Sequence, residues 1–166
     1  MSFIWARISM GEFRWDHTYM YFLFSLGYNL LMRILVLDDD DMRHQYFAEE
    51  LKGNDVIHVH TYDECVDALS NQEPFEVVFL DHDLNDYKYK SELVGAGLYG
   101  GTQEMDGRDV TCYMTTLLKD EQRPFQVIVH SWNPSGAEEM IATLKDGGYE
   151  NVVRWEFDPA KKLFQK

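Results

Sequence analysis

The feature that most limits what this chain can fold into is a repeated one: short apolar runs that each stop on a polar, chemistry-bearing residue. Ile34-Leu-Val-Leu stops on Asp38, Val77-Val-Phe-Leu stops on Asp81, and Phe125 to Val129 stops on His130. Continuous aliphatic and β-branched runs of this kind are how a strand buried on both faces reads. Segments of helical periodicity lie between them. Met42 to Lys52 carries Phe47 and Leu51 on its inner face, with Gly53 as the stop. Thr61-Tyr-Asp-Glu64 is a capping box ahead of Val66 and Leu69, and Ser135-Gly-Ala-Glu138 reads as a second box ahead of Met140, Ile141 and Leu144, ended by Gly147-Gly148. Gly107 to Lys119 sets Val110, Met114, Leu117 and Leu118 on one side. Val56 to His60 alternates as a more exposed strand does, and Val152 to Phe157 closes the sheet. Strands separated by helices and joined by right-handed crossovers predict an α/β fold, a doubly wound parallel five-stranded sheet with helices on both faces.

Length and charge narrow the function. A chain of 166 residues, 45% apolar and 14% aromatic, fills one hydrophobic core. Its formal net charge of -14 repels a bare polyanion, so a broad DNA- or RNA-binding surface is excluded and a nucleotide substrate needs a bound cation or a local basic patch. Cys65 and Cys112 lack any metal-ligand or disulfide spacing and read as reduced core thiols. Residues 1 to 31 differ from the rest, being rich in Trp, Tyr, Phe and Met. Their apolar run from Tyr19 to Met32 is broken by Ser25, Gly27 and Asn29, and a bilayer span needs about 20 apolar residues. No small-residue cleavage site follows. The expectation is an N-terminal extension outside the fold, with Met32 as the natural start, a domain over residues 32–166, and a cytoplasmic location with no membrane partner. The stretch from Asn85 to Asp106, with Gly95, Gly97, Gly100 and Gly101, is longer than an ordinary connection and is expected to be a functional flap.

In a parallel sheet of this type the ligand site lies beyond the carboxyl ends of the strands. That rule gathers Asp38-Asp39-Asp40-Asp41, Asp81-His82-Asp83 and His130-Ser131-Trp132-Asn133. Converging carboxylates repel one another unless protons or a cation offset them. Asp38, Asp39 and Asp81 are the expected metal ligands, and Mg²⁺ (or Mn²⁺) suits their hard oxygens. Asp40 and Asp41 belong to the first turn of the following helix, favourable with its dipole. His82 and His130 abut the acidic cluster, where imidazole serves as acid, base or ligand. His58 and His60, in the exposed strand, are expected to be solvated.

These segments resemble a known family. Ile34-Leu-Val-Leu-Asp38-Asp39 and Val77-Val-Phe-Leu-Asp81 are similar to the acidic pair and phosphoacceptor segment of two-component receiver domains, and Ser131 falls where those carry a switch hydroxyl. The resemblance implies a receiver-like (flavodoxin-like, CheY-like) sheet over residues 33 to 158. One position departs: where receivers have Lys before Pro, this chain has Asp158-Pro159. Leu80-Asp-His-Asp-Leu84, Gly107-Arg-Asp-Val110 and Val129-His-Ser-Trp-Asn-Pro134 with Gly136 and Met140 more narrowly resemble the cyclic-phosphate processing receiver group of bacteria and phages.

What that resemblance implies is a Mg²⁺-dependent phosphodiesterase, a hydrolase processing cyclic phosphates on nucleotides or RNA ends, as in RNA repair. Asp81, His82, His130 and Ser131 are then the catalytic residues, and Asn133, Arg108 and Asp83 the substrate-binding ones. Two routes stay open: attack by a metal-activated water, or attack by Asp81 to give an acyl phosphate that water clears. The alternative function is a receiver-type signalling or partner-binding module phosphorylated on Asp81. A third is a metal-dependent binder that holds a cyclic nucleotide without cleaving it.

Overall fold

The protein is described here from a computed structural model over residues 31–84 and 105–158. Five strands form one parallel sheet: β1 (Arg33–Leu37), β2 (Asp55–Val59), β3 (Val77–Leu80), β4 (Gln126–Val129) and β5 (Val152–Arg154), in the spatial order β2-β1-β3-β4-β5. Among the described residues four helices accompany them: α1 (Asp41–Glu50), α2 (Tyr62–Asn71), α3 (Gly107–Thr116) and α4 (Pro134–Asp146), with a short 3₁₀ turn at Asp120–Gln122. This is the doubly wound α/β sheet that the apolar runs predicted, and its strand order reverses between β1 and β3, where such sheets bind ligands.

Alternation along the central strands divides the core in two. Leu35, Leu37, Val78, Leu80, Val127 and Val129 face α2, α3 and α4, meeting Leu69, Val110, Met114, Met140 and Leu144. Ile34, Val36, Val77, Phe79 and Ile128 face the other way, onto Phe47 and Leu51 of α1, with Trp155 and Phe157 packed beside them. Phe47 is fully buried and lies 5.0 Å from the Phe79 ring.

Local signals set the helix boundaries with some corrections. Asp40 caps α1, its side chain accepting from the backbone N–H of Met42 and Arg43, while Asp41 occupies the first turn. The Thr61/Glu64 capping box is present. The expected Ser135/Glu138 box is not the start of α4. Asn133 is the cap, and Pro134 follows at the first helical position, where its missing N–H costs nothing. α1 stops at Glu50, before Lys52; α3 stops at Thr116, before Lys119; and β5 covers only Val152–Arg154. Cys65 is buried as expected, but Cys112 is exposed, because it lies on the outer side of α3. The domain belongs to a compact unit that begins at Leu31. The expected extension before Met32 and the expected flap fall almost wholly outside the described residues. Among the described residues, no helix is long and apolar enough to cross a membrane.

Phe47 joins α1 to the sheet, so Phe47→Ala should lower unfolding stability by about 3–5 kcal/mol. Urea unfolding measures this as a lower midpoint at unchanged slope. A loss below about 1 kcal/mol would mean that α1 is not held by this contact.

Candidate functional site

Register decides which strand-end residues meet. Val36 pairs with Phe79 and Phe79 with Ile128, so the positions two further on, Asp38, Asp81 and His130, line up across β1, β3 and β4 on the α1 side. Backbone bonds carry the sheet to this edge: Asp81 N–H donates to Leu37 O at 3.0 Å and His130 N–H to Leu80 O at 2.9 Å. Asp38, Asp39 and Asp81 each offer a carboxylate oxygen within 4.8 Å of the others, a set that could hold a divalent ion. Asp38 and Asp81 are buried, and Asp39 is partly exposed.

The charge of this trio is offset by a residue that the sequence reading did not select. Arg43 Nη2, one helical turn past Asp39, lies 2.8 Å from Asp81, 2.9 Å from Asp38 and 3.2 Å from Asp39. Its guanidinium carbon stands 5.6 Å from the Trp132 ring centre, so the exposed indole covers the cation. The signal was available in Asp39 and Arg43 at i and i+4, a spacing that brings opposite charges together on a helix start. It was hidden by the other acids of the Asp38–Asp41 run, which draw attention to a metal.

Asp38 is held from several directions. His130 Nε2–H donates to it at 2.9 Å, and Asp40 N–H donates at 2.8 Å. Burial pushes the Asp38 carboxyl up, but the His130 bond and proximity, the Asp40 N–H and Arg43 together bring it below its ordinary value. His130 is itself fully buried, 5.0 Å from the Phe47 ring and 6.1 Å from Phe79, and its Nδ1 has no hydrogen-bond partner among the described residues. The structure therefore places His130 behind Asp38 with its one engaged nitrogen on that carboxylate. In this position it holds the Asp38 carboxylate rather than facing solvent.

His82 goes to the opposite side. Its ring lies under the start of α4, where a Cβ on Gly136 would stand 2.3 Å from His82 Cδ2. Its Nδ1–H donates to Asp83 at 2.6 Å, and Asn133 Nδ2 reaches the same Asp83 oxygen at 3.5 Å. The Asp81–His82 backbone is also pressed by α3, because a Cβ on Gly107 would stand 2.1 Å from Asp81 O. Only glycine permits either approach. Ser131 is buried, its hydroxyl accepting the Asn133 N–H at 3.2 Å and lying near enough to the Asp81 carboxylate to favour its charged form. Arg108 is engaged elsewhere, 2.8 Å from Asp106 and 3.5 Å from Glu139.

Fold order, strand-end carboxylates and hydroxyl define a receiver-type α/β domain. Solved receiver structures agree with that fold. A CheY-like receiver domain from Methanospirillum hungatei has a TM-score of 0.53 at 19% identity, covering 79% of this chain and 86% of that one. The receiver domain of a Pseudomonas aeruginosa sensor histidine kinase, solved with magnesium coordinated in its active-site cleft, has a TM-score of 0.53 at 15% identity, covering 79% and 90%. The receiver domain of a LuxO-type repressor protein from Vibrio parahaemolyticus has a TM-score of 0.51 at 17% identity, covering 79% and 83%. No curated protein matches the sequence. The family model of the cyclic-phosphate processing Receiver domain matches residues 33–146, and the chain belongs to that family.

Asp81 gives a signed test. Burial raises its carboxyl above the ordinary value, with Asp38 adding to the rise while His130, Arg43 and Ser131 oppose it. A carboxyl raised in the folded state weakens folding once ionised, so its contribution is lost as pH rises through the folded pKa. In EDTA at neutral pH, Asp81→Asn should melt at a higher temperature than the parent, and the gain should shrink on acidification. A lower melting temperature at neutral pH would show that the Arg43 ion pair outweighs the burial of the charge.

Proposed function

We propose that this domain works as a receiver-type phosphoryl acceptor, with Asp81 as the acceptor and a divalent ion as cofactor, Mg²⁺ being the best match. One arrangement carries the reading. The buried Asp81 carboxylate lies beside Asp38 and Asp39, within reach of the Ser131 hydroxyl and 2.8 Å from the Arg43 cation. Asp38, Asp39 and Asp81 would hold the ion, because three hard carboxylates meeting at a buried edge are the donor set that Mg²⁺ takes. When bound, it supplies charge neutralisation at the phosphoryl oxygens.

The chain's own residues account for the rest. An Asp81 oxygen attacks the phosphorus of a small phosphodonor such as acetyl phosphate. The bond from phosphorus to the carboxylate oxygen of the donor breaks, and acetate leaves with its electrons. Ser131 then donates its hydroxyl to the new phosphoryl group. Position 158 carries Asp where receivers carry Lys, and Arg43 is the cation that stands beside Asp81 before an ion binds. Arg43 is bonded to the carboxylates that an ion would take, beneath the Trp132 ring, so ion uptake would have to displace its guanidinium from them.

A second reading rests on a separate observation. His82, adjoining Asp81 and oriented by Asp83 and Asn133, is placed to pass a proton through Nδ1. This supports hydrolysis of a cyclic phosphate on a nucleotide or RNA end, as the family's description suggests. Asn133, Asp83 and Arg108 would then contact the substrate.

Intact-mass measurement after incubation with acetyl phosphate and Mg²⁺ separates the two. A gain of one phosphoryl group that is absent in Asp81→Asn supports the acceptor reading. Conversion of a ribonucleoside cyclic phosphate to a monoester without that adduct supports the hydrolase, and neither result overturns both.

Arg43→Ala should bind Mg²⁺ about tenfold tighter, about 1.4 kcal/mol, and its Trp132 emission should no longer respond to the ion. Weaker binding would show that Arg43 assists the ion rather than competing with it.

A further inference from the structure

On the far side of α1 from Trp132, a second group of ligating side chains is left unused by the acidic site. His44 lies on α1, His58 on the edge strand β2, and His60 just past its end. The ring centre of His44 is 4.8 Å from that of His58 and 4.2 Å from that of His60. His60 Nδ1 is 3.9 Å from the Asp41 carboxylate.

Hydrogen bonding fixes which nitrogens are available. His44 Nε2 lies 2.7 Å from Asp38 O, a carbonyl that can only accept, so Nε2 carries the proton. Nδ1 of His44 is then the lone-pair nitrogen. It faces His58 Nδ1 at 2.7 Å, which must donate to it. A histidine whose second nitrogen donates to a backbone carbonyl is the arrangement that orients a metal-ligating imidazole. His58 and His60 are two residues apart in an extended segment and therefore project to the same side.

We propose that His44, His58 and His60 form a second metal site, separate from the carboxylate trio and suited to a borderline first-row dication such as Zn²⁺. Imidazoles select that class over Mg²⁺. Two nitrogens on one tetrahedral Zn²⁺, each bonded at about 2.0–2.1 Å, stand about 3.4 Å apart. The His44/His58 pair therefore opens by a fraction of an ångström, and His58 presents Nδ1 once its proton moves to Nε2, with no change in charge. His60 is the ligand that must turn, since among the described residues only the carboxylate trio already has all its ligand atoms within 4.8 Å. Its side chain is 44% exposed, which leaves room for the rotation and a path for the ion. Asp41, also exposed, is the fourth ligand or the partner that orients His60. The net charge of -14 favours cation uptake.

The test is a Zn²⁺ titration of the full chain with Mg²⁺ held saturating, followed by Co²⁺ substitution. One equivalent of Zn²⁺ should bind, and Co²⁺ should give the intense visible absorption of a tetrahedral imidazole site. His58→Gln/His60→Gln should weaken Zn²⁺ binding by about 100-fold; both side chains are partly exposed, and far-UV circular dichroism checks that the fold is kept. His60→Gln alone, at the most exposed position, should also weaken it. Asp39→Asn should leave both signals in place. Absence of binding in the parent, equal binding in the double variant, or loss of the Co²⁺ spectrum in Asp39→Asn would each overturn the proposal.

Discussion

Asp38 has no exposed surface, and a carboxylate in that position is tolerated only where its surroundings favour the charged form. Here they do so through His130, the Asp40 N–H and Arg43. Each of these contacts also fixes an element. His130 ends β4, Asp40 caps α1, and Arg43 points α1 at the end of β3. Removing the charge of Asp38 would thus take one contact from the strand end, one from the residue that caps α1 and one from the guanidinium.

Strand alternation explains why the two strand-end histidines have different surroundings. Side chains in a strand alternate, so His130, two residues after Ile128, falls on the α1 face among Phe47 and Phe79. His82, one residue after Asp81, falls on the other side, against Gly136 and beside Asp83. One imidazole is spent on holding Asp38, while the other keeps a nitrogen on the side of the polar groups Asp83 and Asn133. Receiver-type acceptor chemistry uses mainly the first half of this arrangement. Cyclic-phosphate chemistry would use the second, and the two halves meet at Asp81.

Much of the architecture was legible from local patterns. The apolar runs located the central strands, Thr61 and Glu64 announced the start of α2, and stops on Asp38, Asp81 and His130 located the edge that carries the site. Local signals failed where two of them competed. Ser135 and Glu138 have capping-box spacing, yet Pro134 claims the first helical position and moves the cap to Asn133. His58 and His60 alternate as solvated residues would, but α1 lays His44 across them, and His58 becomes a hydrogen-bond donor to it. Asp39 and Arg43 have the i,i+4 spacing of an ion pair, but the third partner, Asp81, is 38 residues away, and only the fold brings it to the same guanidinium.

The sequence alone therefore determined that the chain is a parallel α/β sheet and which residues end its strands, because period and caps are properties of neighbours along the chain. The tertiary structure decided that Arg43 bridges three aspartates, that one buried histidine holds Asp38 and the other Asp83, and that three more histidines share a corner. Those outcomes depend on strand register and on the direction in which a helix returns across the sheet. Both are set by packing between segments distant in sequence, and a linear pattern does not contain them.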